Sequence, residues 1–183
     1  GEEEFNFFMT VIFPDNQLKI FDYNRVVQDL NGHTIEEFFE KIEEKFEIEA
    51  QFANGDHYPK KLHEIGMYIN GTWYILRPKP GSWDFMNVVA SLDVSILQDN
   101  LLDPILGIKD PRTDQRIDFI GGIRGLDELE RRVDSGRDAV AFAMYPTSVE
   151  ELIRIADAGE IMPPKSTWFE PKLRSGLFIH PLT

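Results

Sequence analysis

The segment from Met162 to Ile179 contains the residues whose types and spacing best suit the binding of an anion. Its hydrogen-bond donors are Lys165, Ser166, Thr167, Lys172, Arg174 and Ser175. Prolines at positions 163, 164 and 171 restrict the backbone, so these side chains lose less entropy when they engage a ligand. We interpret the segment as a candidate binding site for phosphate or carboxylate. The alternative is a structured crossing whose hydroxyls cap neighbouring elements and whose cations balance an acidic protein.

The distribution of charge along the chain favours this segment as the place where an anion binds. The chain of 183 residues has 32 acidic and 19 basic residues, a net charge of −13 and a pI near 4.7. Such a chain lacks the basic face that nucleic acid or an anionic membrane requires, so we expect neither as a partner. Residues 163–183 hold one acid and three bases and are net basic, whereas residues 1–64 and 65–162 are net acidic. An anionic ligand would therefore be held locally.

Two further positions could contact an anion. Arg25 follows a predicted strand and could clamp a carboxylate or phosphate, or form a surface ion pair with one of the nearby acids. Gly121 and Gly122 follow another predicted strand, where backbone N–H groups could approach an anion, although a plain turn is the favoured interpretation of the pair. No P-loop pattern occurs in the sequence.

Several kinds of chemistry are excluded or unsupported. The chain has no cysteine, which excludes disulfides, thiol catalysis and cysteine-ligated metal, and which fits a cytoplasmic location. The four histidines do not form a metal-binding spacing such as HExxH, so we predict no metal site within this chain. No apolar run is long enough to span a membrane.

The first half of the chain is rich in strand and hairpin patterns. Phe5–Phe13 is dense in aromatic and β-branched residues and predicts a buried strand, with Leu18–Phe21 as its antiparallel partner. Thr34 and Glu37 form a capping box that predicts a helix extending to about Lys45. Asn70 and Gly71 separate two apolar runs and predict a type I′ hairpin.

The second half alternates between strands and helices. Val88–Leu106 is mostly helical in pattern, with Asp93 as the N-cap of a second piece. The pattern then predicts the strand Gln115–Ile120, the helix Leu126–Val133, the strand Ala139–Met144 and a helix opened by the capping box Ser148–Glu151, in that order. This order suggests a βαβ-like unit. We predict an α+β fold, with a mixed, largely antiparallel sheet, hairpins and packed helices, formed by residues 1–183 as one domain. If the chain divides, the boundary lies near residues 78–82.

Three runs of sequence resemble a known family. They are the runs IADAGEIMPPKSTWFEPKLRSGLFI at 155–179, LDVSILQDNLLDPILGI at 92–108, and residues 5–31. Together they resemble the bacterial and archaeal family called domain of unknown function 1015, some members of which are described as ParB-like sporulation regulators. The resemblance implies that this chain is the C-terminal domain of a longer protein and would pack against a missing N-terminal half.

The resemblance also implies a class of function. The upstream half of family members carries an Asp-Gly-His-His-Arg motif similar to those of free-serine kinases, and this chain lacks it. The parent protein would then be an ATP- or ADP-dependent kinase, using Mg²⁺, of a small polar metabolite such as free serine. We expect the chain alone to be inactive. The alternative is a non-enzymatic, ParB-like regulatory or protein-interaction module.

Individual residues can be compared with the family pattern. The family has Thr-His-Arg where this chain has Tyr23-Asn24-Arg25, so Arg25 is retained and the histidine is not. Lys165, Ser166, Thr167 and Lys172 match the pattern and become, with Arg25 and Arg174, the candidate ligand-binding residues.

Overall fold

The computed structural model describes residues 1–12, 14, 17–51, 58–172 and 176–181, with the side chains of residues 50 and 51 left out. Within these residues the chain forms eight strands and four α-helices. The strands are β1 Lys19–Phe21, β2 Tyr23–Val27, β3 Phe46–Gln51, β4 Ile65–Ile69, β5 Thr72–Pro78, β6 Ile117–Gly121, β7 Val140–Ala143 and β8 Trp168–Glu170. The α-helices are α1 Ile35–Glu43, α2 Asp93–Leu97, α3 Asp127–Asp134 and α4 Val149–Asp157.

Six strands form one sheet in the order β3-β5-β4-β7-β2-β6, and every neighbouring pair in it is antiparallel. Strands β1 and β8 form a separate antiparallel pair, in which Phe21 lies opposite Trp168. The predicted α+β class, with a largely antiparallel sheet and packed helices, is confirmed. No helix among the described residues has the length and apolarity needed to cross a membrane.

The local signals for turns and helix starts are confirmed. Asn70 and Gly71 have φ values of 49° and 74°, as a type I′ turn requires, and they join β4 to β5. The side chain of Thr34 accepts a hydrogen bond from the backbone of Glu37, and the Glu37 carboxylate accepts one from the backbone of Thr34. Ser148 and Glu151 make the same reciprocal pair at the start of α4.

The predicted βαβ-like unit exists in a split form. Strand β6, helix α3 and strand β7 follow one another along the chain, and β6 and β7 each pair antiparallel with β2. The two strands are therefore parallel to each other, with β2 inserted between them. This insertion places Arg25 of β2 at the centre of one half of the sheet.

Helices cover both faces of the six-stranded sheet. On one face, Val27, Met67 and Phe142 join a core that includes Phe38 of α1 and the apolar residues of the segment 92–108. On the other face, Val26 and Ala141 pack with Leu129 of α3. The strands alternate between the two cores because neighbouring side chains on a strand point to opposite faces.

The long helical pattern at Val88–Leu106 is shorter and less regular than expected. Helix α2 continues into a single π-helical segment, Gln98–Leu102. The prediction that Asp93 is the N-cap was wrong, because Leu92 holds that position and Asp93 is the first helical residue. The Asp93 carboxylate instead accepts hydrogen bonds from the backbone N–H and the ring of His63.

The strand predicted at Phe5–Phe13 was wrong for the residues that the structure describes, which exclude Phe13. Residues Glu4–Asn6 form a 3-10 turn, and residues 7–12 have no strand pairing. The expected partner strand, β1, pairs with β8 instead. Phe8 and Ile12 are 85% and 89% exposed, so the apolar composition of this segment does not reflect burial within the described chain.

Candidate functional site

A cavity of about 830 Å³ lies where β2 and β6 meet α2 and three loops. Strand β2 contributes Arg25 and β6 contributes Phe119, which lie opposite each other in the sheet. Helix α2 contributes Val94 and Ser95, the π-helical segment contributes Gln98, Asp99 and Leu102, and the remaining wall comes from the loops 87–90, 109–112 and 160–164. The volume falls in the range of about 300–1,000 Å³ that is usual for small-molecule sites.

Arg25 is a buried cation in the wall of this cavity. Its side chain is 4% exposed, and its guanidinium donates hydrogen bonds to the backbone carbonyls of Tyr23 and, at 3.0 Å, of Lys165. Burial lowers the pKa of Arg25 to about 10, so the group is still protonated at neutral pH. Arg25 takes part in none of the ion pairs formed among the described residues.

This environment decides between the two roles considered for Arg25. A surface ion pair is excluded because the side chain is buried and the described residues provide no ion-pair partner. Buried charges in proteins are usually paired, since removing them from water is costly. Arg25 hydrogen-bonds to carbonyls, its nearby carboxylate Asp22 acts on it only through the electrostatic field, and it lines a cavity, so it is suited to direct contact with an anionic ligand.

Lys165 lies directly beside Arg25 but faces a second depression. Its backbone has a left-handed φ of 56°, which brings its carbonyl to the Arg25 guanidinium. Its exposed amino group lies 3.4 Å from the hydroxyl of Tyr23 and 5.3 Å from the centre of that ring. Lys165 and Pro164 line a groove of about 650 Å³ that adjoins the cavity.

The structure places the two hydroxyl candidates differently. Ser166 is buried, its hydroxyl donates to the carbonyl of Pro163 at 2.5 Å, and its own carbonyl accepts from Thr147 at 3.1 Å. Thr167 is half-buried. Neither residue lines the cavity or the groove. The hydrogen bond from the Ser166 hydroxyl to the Pro163 carbonyl instead stabilises the loop that contains Pro163 and Pro164.

Lys172 lies apart from Arg25 and Lys165. Its exposed amino group sits 3.8 Å above the ring of Trp168, in a cation–π contact, and it lines neither depression. The ring of Trp168 in turn meets that of Tyr23 edge to face, with 5.3 Å between centroids. Arg174 lies outside the described residues, and its role stays a prediction.

Gly121 and Gly122 are required by packing within the protein. A Cβ atom on Gly121 would lie 2.6 Å from the ring of Trp168, and one on Gly122 would lie 1.9 Å from the carboxylate of Asp22. The neighbours that come so close are side chains of the protein itself. The two glycines therefore admit Trp168 and Asp22, which favours the structural interpretation of this pair over an anion-binding turn.

Sequence reasoning missed several charged residues of the cavity and groove. The cavity is also lined by Lys109 and Arg112, and the groove by Arg112 and Arg137. These residues come from loops whose approach depends on the packing of β6 and α3. The local signal in the sequence is the basic pair Lys109 and Arg112 around the Asp110-Pro111 turn. Within the described ranges, no group of three or more His, Cys, Asp or Glu side chains is arranged to hold a metal ion.

Comparison with known proteins identifies the family. The sequence model of the family described as "Protein of unknown function (DUF1015)" matches residues 1–95. The match covers more than half of the chain, and the chain belongs to this family. It does not extend to the run at 155–179, and it supports neither the ParB-like description nor the description of the chain as only the C-terminal half. No curated protein matched the chain.

Solved structures share the fold at low sequence identity. A free serine kinase in complex with AMP has a TM-score of 0.51 and 12% identity, over 85% of this chain and 55% of that one. A conserved hypothetical protein from Pyrococcus furiosus has a TM-score of 0.50 and 11% identity, over 85% of this chain and 57% of that one. The chain thus spans little more than half the length of the structures it matches. At these identities the likeness shows the fold.

Proposed function

We propose that the cavity beside Arg25 binds an adenine nucleotide, and that the whole protein is a nucleotide-dependent kinase of a small polar metabolite such as free serine. One observation carries this proposal. Arg25 is buried and charged, makes no ion pair among the described residues, and lines a cavity of about 830 Å³. The buried carboxylate of Asp22 acts on Arg25 electrostatically but forms no ion pair with it, so an anionic ligand in that cavity would supply the direct contact that Arg25 lacks.

The wall of the cavity suits a nucleoside as well as a phosphate. Its apolar part is formed by Val89, Ala90, Val94, Leu102 and Met162. Ligand sites commonly combine such a surface with a few polar groups that fix the orientation of the ligand. Ser95 and Asn87 line the same wall and could hydrogen-bond to a base or a ribose. The mixture of apolar surface and cations fits a nucleotide better than a free phosphate.

The cations around the cavity suit phosphoryl transfer. Catalysis of this reaction depends mainly on positioning and on stabilising charge at the phosphoryl group. Arg25 would bind a phosphate of the nucleotide, with Lys109 and Arg112 at the rim of the cavity. Mg²⁺ would accompany ATP or ADP in the whole protein. Lys172 and Arg174 lie later in the same C-terminal stretch and remain candidate contacts for the second substrate.

We base the proposed class of reaction on the shared fold. A free serine kinase that binds AMP shares the fold over 85% of this chain. That kinase extends well beyond the matched part, so we assign binding to this chain and transfer to the whole protein. We accordingly expect no phosphoryl transfer from ATP to serine by residues 1–183 alone. A non-enzymatic module has no specific observation in its favour.

Ligand-dependent thermal unfolding tests the proposal. AMP, ADP, ATP with Mg²⁺ and L-serine are each added to the chain and to a longer family protein that contains it. A nucleotide at about 100 times its Kd stabilises the folded chain by about 2.7 kcal/mol. Lys109→Ala should reduce that shift, whereas Lys41→Ala on the exposed face of α1 should leave it unchanged. The absence of any nucleotide-dependent shift in both proteins would refute the proposal.

A further inference from the structure

The cavity and the groove are neighbouring depressions. Pro111, Arg112, Phe119 and Pro164 line both depressions, so the two share a wall. Arg25 lies close to the junction, because its guanidinium is 5.7 Å from the centre of the Phe119 ring. A ligand longer than the cavity can therefore extend into the groove beside Arg25.

The groove is positively charged although the protein is strongly acidic. Four cations line it, Arg112, Arg132, Arg137 and Lys165, against two carboxylates, Asp114 and Asp118. By contrast, the cavity is lined by three cations, Arg25, Lys109 and Arg112, against three carboxylates, Asp99, Asp110 and Glu160. Arg112 is paired with Asp110, and Arg132 with Asp118 and Asp138, so the excess of cations in the groove rests on Arg137 and Lys165. In a protein with a net charge of −13, this local excess favours an anion at that place.

The carboxylates of the groove are already paired. Asp114 lies 2.9 Å from Arg116, and Asp118 lies 2.9 Å from Arg132. Arg137 and Lys165 are exposed, and neither makes an ion pair with a carboxylate among the described residues. The amino group of Lys165 contacts the hydroxyl and ring of Tyr23, and Arg137 acts on Asp118 electrostatically without an ion pair, so both retain donors for the oxygens of a ligand.

We infer that the groove holds the terminal phosphates of a nucleoside di- or triphosphate whose nucleoside occupies the cavity, with Arg137 and Lys165 as the residues that contact those phosphates. The inference rests on the proposed function and adds the direction in which the nucleotide lies. The apolar wall of the cavity suits the nucleoside, Arg25 and Arg112 stand at the junction, and the more polar groove takes the rest of the phosphate chain. The site would then distinguish ADP and ATP from AMP.

Calorimetric titration of AMP, ADP and ATP into the chain and its variants tests this orientation. Arg137→Ala and Lys165→Ala should each weaken ADP and ATP binding by about tenfold, the value of one lost charge-assisted hydrogen bond. AMP binding should change by less than about twofold, because AMP has no phosphate in the groove. Lys165→Arg and Arg137→Lys, which retain the charge, should keep most of the affinity for ADP.

Arg124→Ala provides the matched control. Arg124 is exposed and lines neither depression, so its removal changes the net charge equally without touching the ligand. Equal weakening of AMP and ADP by Arg137→Ala and Lys165→Ala, or no weakening, would overturn the orientation and leave the proposed function standing. If pyrophosphate binds to the wild-type chain and no nucleotide does, both proposals fail.

Discussion

The guanidinium of Arg25 donates a hydrogen bond to the backbone carbonyl of Lys165, 3.0 Å away and 140 residues later in the chain. This bond joins the buried strand β2 to the proline-rich segment 162–167. It brings together two candidate residues that the sequence identified separately. It also holds the loop that borders both depressions, since Pro164 lines the cavity and the groove.

Replacing Arg25 by methionine should affect binding far more than stability. Arg25→Met leaves the carbonyls of Tyr23 and Lys165 without a donor, which costs about 1–3 kcal/mol, but it also removes a buried charge whose desolvation is costly. These effects oppose each other, so we expect the free energy of unfolding in urea to change by about 1 kcal/mol or less. Nucleotide affinity should fall at least tenfold. A loss of several kcal/mol with unchanged affinity would show that Arg25 is only structural.

Gly121→Ala should destabilise the junction between the main sheet and the β1–β8 pair. The added methyl group would lie 2.6 Å from the Trp168 ring, and overpacking of this kind costs about 1–3 kcal/mol. Gly121 has an ordinary φ of −64°, so the cost comes from the contact alone. In a Trp168→Val background the same substitution should cost much less, as measured by chemical denaturation. An equal cost in both backgrounds would show that the contact is not responsible.

Two neighbouring arginines on α3 should differ sharply in their contribution to stability. Arg132 is 4% exposed and lies 2.5 Å from Asp138, which is itself buried. Arg132→Met leaves that carboxylate unpaired and should cost about 3 kcal/mol of unfolding free energy. Arg131 pairs with Glu128 at the surface, and Arg131→Ala should cost about 0.5 kcal/mol or less. Similar costs for the two variants would contradict this account of the buried pair.

His63 should make the protein more stable in mildly acidic than in alkaline solution. A hydrogen bond to the Asp93 carboxylate is the main cause that raises the pKa of His63, with a smaller contribution from Glu151. Because the folded-state pKa is raised, the stabilisation is fully present below the unfolded value of about 6.5 and is lost as the pH rises through the folded value.

Thermal unfolding between pH 5.5 and 8.5 measures this effect. The His63 side chain is 37% exposed, so we expect a change below about 1 kcal/mol, which His63→Gln removes. A profile that is unaltered by His63→Gln would contradict the role of the His63–Asp93 pair.

Local sequence signals predicted the elements whose formation depends on a few neighbouring residues. The Asn70-Gly71 turn and the capping boxes at Thr34 and Ser148 belong to this group, since their geometry is set within four residues. The segment Phe5–Phe13 failed because composition alone does not provide a partner strand. Strand β1 found its partner in β8, almost 150 residues away in sequence.

The candidate site was predictable only in part. Arg25 and Lys165 stood out by their type and by the prolines near Lys165, and the structure places them side by side. Lys109, Arg112 and Arg137 could not be found in this way, because their proximity depends on how the loops around β6 and α3 pack. The burial of Arg25, which turns an ordinary basic residue into a candidate anion site, arises from the position of β2 between β6 and β7.

A crystal structure of the chain grown with ADP tests the central claim most directly. Our account predicts the adenosine in the cavity between β2, β6 and α2, with a phosphate oxygen within hydrogen-bond distance of Arg25 and the terminal phosphate directed towards Lys165 and Arg137. ADP bound elsewhere on the protein, or an unoccupied cavity at an ADP concentration that saturates binding in solution, would contradict it.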